Sequence, residues 1–270
     1  MAKNRITVFT KPWPDLTLED LADLVVELGA DGVELPVRDG YQVTPESIST
    51  MLPEAVAALG ERGLVISSVA GSLEENTIRA MGESGIGILR VCIGIDMSKG
   101  YLASVDAVRQ QIVSLEPVLR SAGVTVGIQN HYGHSVASAL GILHLIDPIA
   151  PEIAGAVLDF AHCALDGEPP EMAADIVKER LSLVNFKNAC RVRTNGPDEP
   201  EAAWEVLWTT ARHGGYSWEQ AVKVLGNLGY TGDLCLPGEY SLLGTPGQLM
   251  GDDVIPRLGA DVAYLRQLLS

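Results

Sequence analysis

The sequence predicts an α/β fold, a (β/α)8 barrel, from two observations. Apolar or β-branched runs alternate with stretches whose apolar residues recur at helical spacing, from residue 5 to residue 269. Eight such alternations fit within 270 residues, a usual size for an α/β barrel formed as one domain. Alternating units imply parallel strands joined by crossover helices, and eight of them favour a closed barrel over an open doubly wound sheet. We therefore expect a single domain over residues 1–270.

The first half of the chain supplies four strand and helix units. The predicted strands span residues 5–9, 33–37, 64–69 and 88–92, and the predicted helices span residues 17–28, 45–62, 74–81 and 102–122. Thr17 is the expected N-cap of the first helix, with the acidic Asp20 three residues later. Gly63 is the expected C-terminal stop of the second helix.

The second half supplies four more units and one long connection. The predicted strands span residues 124–129, 155–159, 183–187 and 234–236, and the predicted helices span residues 135–146, 171–181, 218–228 and 254–269. The polar connection at residues 188–217 is unusually long for a loop between a strand and a helix. It carries Trp204 and Trp208, which favours a lid or a partner-contact surface, unless the two tryptophans only pack the loop down.

Composition and charge narrow the class of protein. Hydrophobic residues make up 47% of the chain and charged residues 20%, which is typical of a folded protein with a large core. The formal net charge of −16 argues against nucleic acid or an anionic membrane as a partner, because both require a basic surface. It favours a neutral or partly cationic small substrate, unless the charge serves solubility alone.

Cysteines and known cofactor motifs give further limits. The four cysteines are scattered singly without a CxxC pair, which favours neither a zinc site nor a disulfide framework. We therefore expect a reduced, cytoplasmic setting, and no export signal or membrane-spanning run is visible. Neither a GxGxxG motif nor a P-loop is present, so no nucleotide cofactor is expected.

The carboxyl ends of barrel strands and the loops after them are where a barrel of this kind carries its functional residues. This position selects Lys11, Glu34, Arg38, Gln129, His131, Asp159, His162, Asn185, Lys187, Asn188 and Glu239. The stretch of residues 127–134 is the most distinctive, because a β-branched strand ends there in amide and imidazole side chains.

Two carboxylates and two histidines each allow two interpretations. Asp159 closes a buried strand, which is costly for a charge unless a metal or hydrogen-bond donors compensate it. It is expected to coordinate a metal or to act in catalysis, or else to cap the next turn. Glu239 has the same roles open to it. His131 and His162 are candidates for catalysis, with a structural role as the alternative.

Two basic residues are also open to alternatives. Lys187 could form a Schiff base or transfer protons, because burial lowers the pKa of a lysine, or it could pair with a carboxylate across the barrel. Arg38 could hold a substrate carboxylate or phosphate with its planar guanidinium, or it could pair with Asp39 or Glu34.

Five segments together resemble the xylose isomerase-like barrel superfamily, which contains sugar isomerases, epimerases and dehydratases. They lie at residues 28–35, 123–131, 157–162, 184–188 and 228–236, the last leading to Glu239. The resemblance covers nearly the whole chain. It implies a divalent cation, often manganese, magnesium, cobalt or zinc, held by Glu, Asp, His and Glu from four strand ends.

Those four positions fall on Gln129, Asp159, Asn185 and Glu239, so two of the four have lost the family's ligand. Neutral amide oxygens bind a dication more weakly than carboxylates do, and an amide cannot act as a general base near neutral pH. The resemblance therefore implies a weakened or rearranged metal site.

We accordingly expect an enzyme, a sugar isomerase or epimerase that transfers protons on a keto-sugar or hydroxyketone. The expected catalytic residues are Glu239, His131, His162 and Lys187, and the expected substrate-binding residues are Arg38, Gln129, Asn185 and Glu34. A lyase or dehydratase of a keto-polyol is the first alternative. The second is a non-catalytic sugar-binding or accessory subunit with a degenerate metal site. The partner is a small sugar or polyol, and a homo-oligomer is expected because relatives often associate.

Overall fold

Eight parallel strands form a closed barrel in the computed structural model, which describes residues 4–270. The described residues form ten strands, of which β8 and β9 lie outside the barrel: β1 (Ile6–Phe9), β2 (Gly32–Pro36), β3 (Val65–Ala70), β4 (Ile88–Cys92), β5 (Thr125–Gln129), β6 (Ala154–Asp159), β7 (Leu181–Asn185), β8 (Asn188–Arg193), β9 (Trp204–Thr209) and β10 (Leu234–Leu236). The barrel follows the order of the chain from β1 to β7, and β10 closes it between β7 and β1. The predicted (β/α)8 fold is confirmed.

Helices surround the barrel and pack their apolar faces against it. They are α1 (Leu18–Glu27), α2 (Ile48–Gly60), α3 (Glu75–Glu83), α4 (Tyr101–Ser114), α5 (Glu116–Ala122), α6 (Ala139–Ile146), α7 (Phe160–Asp166), α8 (Pro170–Val177), α9 (Trp218–Asn227) and α10 (Ile255–Leu268). Over residues 4–270, no helix has both the length and the apolar character needed to cross a membrane.

Two buried apolar clusters pack the barrel, one between its strands and the helices and one in its interior. The larger cluster lies between the barrel and the helices. A separate small cluster joins side chains of five barrel strands: Phe9, Ala70, Val157, Leu183 and Cys235. Strands of a closed barrel can bring such residues together only in its interior, so this cluster fills the barrel. Phe9 also lines a cavity at the mouth of the barrel.

Several helices differ from the predictions. The expected helix at residues 102–122 is divided into α4 and α5, because Pro117 has no N–H to continue the helical hydrogen bonds. The helix expected from residue 135 begins only at Ala139, where the side chain of Ser138 accepts a hydrogen bond from the N–H of Gly141 at 3.0 Å. The short helix α7, which directly follows β6, was not predicted.

The seventh strand and the connection after it also differ from expectation. β7 ends at Asn185, two residues earlier than predicted, so Lys187 lies just beyond the strand. Residues 188–217 contain an antiparallel hairpin of β8 and β9, in which Asn188 is level with Thr209. This region is therefore an ordered ribbon that leaves the barrel at its mouth, where the sequence suggested only a long loop.

The two tryptophans of this hairpin have different surroundings. Trp208 is 8% exposed and packs edge-on against His162, whereas Trp204 is 60% exposed. Asn188 is fully buried and donates from Nδ2 to the backbone oxygens of Ala211 at 2.8 Å and Tyr216 at 2.9 Å. Trp208 and Asn188 thus hold the hairpin against the barrel, while Trp204 faces outward.

Candidate active site

A network of hydrogen bonds and ion pairs runs around the carboxyl-terminal mouth of the barrel and alternates acceptors with donors. We call it the mouth network, and in order its members are Glu34, Arg90, Gln129, Asp159, Lys187, Glu239 and Lys11. They come from β2, β4, β5 and β6 and from the segments that follow β7, β10 and β1. Three carboxylates and three cationic groups meet in it, so its formal charges cancel.

The first part of the mouth network is a buried ion pair. Arg90 Nε lies 2.7 Å from Glu34 Oε1, and the same carboxylate oxygen accepts a 2.9 Å hydrogen bond from Ser68 Oγ. The Arg90 guanidinium also lies over the ring of Phe9, 4.7 Å from its centroid. Burial alone would lower the pKa of Arg90, but the charge of Glu34 and the hydrogen bond to it raise this pKa above the ordinary value. The guanidinium therefore remains charged.

Gln129 joins this pair to Asp159. Arg90 Nη1 lies 2.6 Å from Gln129 Oε1, and Gln129 Nε2 lies 2.9 Å from Asp159 Oδ2. A guanidinium can only donate and a carboxylate can only accept, so the amide must present its oxygen to Arg90 and its nitrogen to Asp159. The neutral residue is therefore oriented by a cation on one side and an anion on the other.

Asp159 has two separate functions through its two oxygens. Oδ1 accepts hydrogen bonds from the backbone N–H groups of Ala161 at 3.1 Å and His162 at 3.3 Å, which caps α7. Oδ2 faces Gln129 and lies 3.3 Å from Lys187 Nζ. Burial raises the pKa of Asp159, while the charge of Lys187 opposes this shift. The helix cap that the sequence allowed is therefore present, and a role of Asp159 in metal coordination or catalysis stays a prediction.

Lys187 lies between two carboxylates. Its Nζ is 2.6 Å from Glu239 Oε2 and 3.3 Å from Asp159 Oδ2, and the ammonium lies over the ring of Trp208 at 4.5 Å. Burial favours the neutral amine, but the two carboxylates outweigh it and raise the pKa of Lys187. The side chain is therefore an ammonium, which agrees with an ion pair across the barrel and not with a free amine.

Glu239 is held by two lysines. Its second oxygen, Oε1, accepts from Lys11 Nζ at 2.9 Å, and Lys11 also donates to Gln248 Oε1 at 2.8 Å. Burial alone would raise the pKa of Glu239, but Lys187 and Lys11 lower it well below its usual range. The carboxylate therefore stays ionised at neutral pH.

The rings of His131 and His162 lie close together at a tilt of 39° but differ in their access to the cavity. Their ring centroids are 4.2 Å apart, and only His131 lines the cavity. Nδ1 of His131 lies 3.0 Å from the backbone oxygen of Tyr132, whose N–H points to Nδ1 of His162 at 3.3 Å. Burial and the nearby charge of Lys187 lower the pKa of His162 well below its usual range, so this fully buried ring is neutral. Its Nε2 has no hydrogen-bond partner within residues 4–270.

Asn185 and Arg38 face the cavity with unused hydrogen-bonding capacity. Asn185 is 1% exposed, and its Oδ1 lacks a donor among the described residues. Arg38 is exposed and forms no ion pair in the described part of the chain, and Glu34 pairs with Arg90 instead. Of the two interpretations of Arg38, the pairing with Asp39 or Glu34 does not occur within residues 4–270, and the role in substrate binding stays a prediction.

The mouth network surrounds a cavity of about 200 Å³. Its lining includes the cationic groups of Lys11, Arg38, Arg90 and Lys187, but only one carboxylate, that of Glu239. A second depression of about 340 Å³ continues from Lys11 and His131 towards Trp208 and Gln248. The net charge of the whole chain therefore does not predict the charge of this cavity. Of the neutral or partly cationic substrate that the net charge favoured, the cationic alternative does not match the lining.

The structure brings most of the predicted residues together and adds others. Glu34, Asp159 and His162 are present but buried behind the cavity lining. Arg90 and Cys92 belong to the site but were not predicted from the sequence, and Trp208 was expected only as part of a lid or a partner-contact surface. Arg90 could have been found as a charged residue inside the otherwise apolar strand at residues 88–92, where burial requires a partner.

The four positions that the family resemblance assigns to a divalent metal do not fit one here. Lys187 Nζ already lies between Asp159 Oδ2 and Glu239 Oε2, and the side-chain oxygen of Gln129 already accepts a hydrogen bond from Arg90. Only Asn185 Oδ1 is free to act as a ligand. Within residues 4–270, no group of three His, Cys, Asp or Glu side chains is arranged to hold a metal.

Comparison with known proteins agrees with the fold. No curated protein sequence matches this chain. A xylose isomerase-like TIM barrel protein from Mycobacterium smegmatis, solved with magnesium, is 16% identical with a TM-score of 0.70, over 98% of this chain and 96% of that one. The 3-keto-D-glucoside 4-epimerase from E. coli is 14% identical with a TM-score of 0.72, over 98% of this chain and 100% of that one.

A mannonate dehydratase from Streptococcus suis is 15% identical with a TM-score of 0.68, over 100% of this chain and 94% of that one. At these identities the likeness concerns the fold alone. The family model described as xylose isomerase-like TIM barrel matches residues 22–240, which is most of the chain. The resemblance found in the sequence is thus confirmed, and the chain belongs to the xylose isomerase-like TIM barrel family.

Proposed function

We propose that this protein is a sugar isomerase or epimerase that transfers a proton on a hydroxyketone bound in the mouth cavity. One observation carries the proposal: an imidazole with a free basic nitrogen lines the same small cavity as two protein cations, those of Lys187 and Arg90. A base and an electrophile on one substrate are the two groups that proton abstraction next to a carbonyl requires.

His131 is the proposed base. Because the backbone oxygen of Tyr132 can only accept, Nδ1 of His131 carries the hydrogen in their 3.0 Å contact. The neutral ring then has its lone pair at Nε2, for which residues 4–270 supply no hydrogen-bond partner. Nε2 takes the proton from the hydroxyl-bearing carbon as the C–H bond breaks and an enediolate forms. In isomerisation it returns this proton to the former carbonyl carbon, while the hydroxyl proton of the first carbon moves to the former carbonyl oxygen. In epimerisation a second donor, for which we propose the ammonium of Lys187, protonates the first carbon on its other face.

Lys187 and Arg90 are the proposed electrophilic groups. Removal of the proton places negative charge on the carbonyl oxygen of the substrate, and an ammonium or guanidinium stabilises this charge better than water does in a buried site. Both side chains line the cavity and are less than a tenth exposed. Their carboxylate partners hold them in place before the substrate binds, which reduces the cost of reorganisation.

Glu239 was expected to be a catalytic residue, but we propose a different role for it. A carboxylate whose pKa is lowered by two lysines is a weak base. We therefore assign it to positioning Lys187 and Lys11. The free Oδ1 of Asn185 is the proposed acceptor for a substrate hydroxyl, and Gln129 and Glu34 orient Arg90.

Arg38 supports a substrate that carries an anionic group. It is the one cationic side chain of the cavity lining that has no carboxylate partner within residues 4–270. A planar guanidinium of this kind pairs readily with a carboxylate or a phosphate. We therefore propose a keto-sugar with an acidic group as the substrate class.

A dehydratase is the second candidate. It is favoured by the ammonium of Lys187, because dehydration requires a proton donor for the departing hydroxyl in addition to a base. The similarity of the fold to that of a mannonate dehydratase is compatible with this candidate, but a shared fold does not determine the reaction. The two candidates differ in whether water is lost from the substrate.

The experiment is hydrogen exchange in deuterated water, followed by NMR on a panel of neutral keto-sugars and of keto-sugars with carboxylate or phosphate groups. We expect deuterium incorporation next to the carbonyl, together with a new isomer or epimer. His131→Gln should lower the rate about 100-fold or more. His134→Gln is the matched control, because this exposed histidine lies in the same loop and outside the cavity lining.

Three outcomes separate the candidate functions. Loss of water with formation of an unsaturated carbonyl product would replace isomerisation by dehydration. Binding of sugars with neither exchange nor water loss would support the non-catalytic subunit. A wild-type rate retained by His131→Gln would contradict the assignment of His131 as the base.

We propose a cytoplasmic setting, supported by four free cysteines. That the protein forms a homo-oligomer stays a prediction. The exposed Trp204 of the hairpin is the first candidate for a contact between copies, and size-exclusion chromatography of a Trp204→Ser variant tests it.

A further inference from the structure

We infer that the ammonium of Lys187 takes the place of the divalent cation at this site, so that the protein binds no catalytic metal there. The inference concerns the contents of the site and can be tested by binding alone, whichever reaction the protein catalyses. It rests on charge balance, on the position of one atom, and on the orientation of one amide.

Charge balance is the first reason. Glu34, Asp159 and Glu239 are each paired with a cationic group of the protein. A site built for a dication has unpaired negative charge for the metal to neutralise. In the mouth network that charge is already neutralised, so a bound dication would leave a buried excess of two positive charges.

The position of Lys187 Nζ is the second reason. A metal bound to both Asp159 and Glu239 would lie about 2.0–2.6 Å from one oxygen of each. Nζ is 3.3 Å from Asp159 Oδ2 and 2.6 Å from Glu239 Oε2, so it occupies the space between the same two oxygens. The metal and the ammonium would then lie within contact distance, with strong repulsion between them in a buried site.

The orientation of Gln129 is the third reason. A metal next to Asp159 would need the amide oxygen of Gln129, but the side chain presents Nε2 to Asp159 at 2.9 Å. Turning the amide would place its NH2 group against the guanidinium of Arg90, which now donates to Oε1 at 2.6 Å. Two donors would then face each other, and the buried hydrogen bond would be lost.

Lys187 is therefore a cation that is fixed by a covalent bond to the chain. Unlike a metal, it cannot be removed by a chelator, and its presence at the site does not depend on the supply of metal. Its hydrogens remain directed at two carboxylates, and the ammonium also lines the cavity.

The test is metal binding by the full-length protein. Purified wild-type protein is analysed by plasma mass spectrometry, then treated with EDTA, dialysed and titrated with Mn²⁺ alone, with free Mn²⁺ followed by electron paramagnetic resonance. We expect far less than one equivalent in both measurements. One equivalent of metal that is lost in Asp159→Asn would overturn the inference.

A pair of lysine variants tests the role of Lys187 itself. Lys187→Met leaves Asp159 and Glu239 facing each other without the ammonium, and we expect its Mn²⁺ affinity to rise about tenfold or more over wild type. Lys178→Met is the matched control, because Lys178 pairs with Asp175 on the surface, and its Mn²⁺ binding should equal that of wild type. A folded Lys187→Met protein with wild-type Mn²⁺ binding would overturn the inference. If this variant does not fold, the wild-type measurement decides alone.

Discussion

Arg90 donates a 2.6 Å hydrogen bond to the side-chain oxygen of Gln129, and this contact determines what the fifth strand contributes to the site. It turns the amide nitrogen towards Asp159 and makes a neutral residue the bridge between a cation and an anion. A glutamate, the residue that the family resemblance implies at this position, would instead place two carboxylates side by side.

Gln129→Glu should therefore destabilise the protein at pH 7. The variant loses the donor to Asp159 and brings a like charge to it, which should cost about 1–3 kcal/mol and less at pH 5, where protonation relieves the repulsion. Urea unfolding at both pH values measures this. Gln220→Glu is the matched control, because Gln220 makes the same kind of contact with Glu171 on the surface at 3.1 Å. An equal effect of both variants would contradict the account.

Arg90→Met should have one of the largest effects on stability. It leaves Glu34 buried without its cationic partner, and breaking a buried pair in this way costs about 3–5 kcal/mol. Arg79→Met removes an exposed pair with Glu75 one helical turn away and should cost about 0.5 kcal/mol or less. The free energies of unfolding in urea compare the two. A cost below that of Arg79→Met would show that the Arg90 pair contributes nothing.

Arg38→Met should weaken binding of anionic substrates selectively. Loss of a charge-assisted hydrogen bond should raise KM or Kd for a sugar carboxylate or phosphate about tenfold, with little change for neutral sugars. Isothermal titration with matched neutral and anionic keto-sugars measures the difference. Arg62→Met serves as the control, since Arg62 pairs with Asp23 outside the cavity. Equal weakening of both ligand classes would contradict an anion site at Arg38.

Asp261 should make stability depend on pH. It accepts hydrogen bonds from Tyr240 and from the backbone of Ala211, and burial raises its pKa from 3.8 to about 6. The folded protein therefore holds this proton more tightly than the unfolded chain does. The resulting stabilisation is present below about pH 4 and is lost as the pH rises through about 6, by at most about 3 kcal/mol.

Asp261→Asn should remove this part of the pH dependence, so that the stability of the variant relative to wild type increases between pH 4 and pH 7. Thermal unfolding across that range measures it, with the exposed Asp252→Asn as control. Parallel pH profiles for wild type and Asp261→Asn would contradict the shifted pKa.

The barrel could be predicted because its signal is local. Each strand and most helices carry their own periodicity, and strand ends locate the site without any tertiary information. The helix α7 was missed because six of its seven residues are apolar or histidine, which leaves no polar face to recognise. The hairpin at residues 188–217 was missed because its pairing depends on contacts between segments that the sequence keeps apart.

The partners of the charged residues could not be predicted in the same way. The sequence indicated that Lys187, Asp159 and Glu239 belong to the site, but only their positions in space show one ammonium between two carboxylates. Arg90 was missed because it lies within its strand and because its buried partner Glu34 is 56 residues away in the sequence.

The most direct test of the account is hydrogen exchange by the EDTA-treated wild-type protein on the keto-sugar that gives the fastest exchange. The account predicts that exchange continues at the untreated rate and that added Mn²⁺ does not increase it. Exchange that EDTA abolishes and Mn²⁺ restores would contradict a site in which the ammonium of Lys187 replaces the metal.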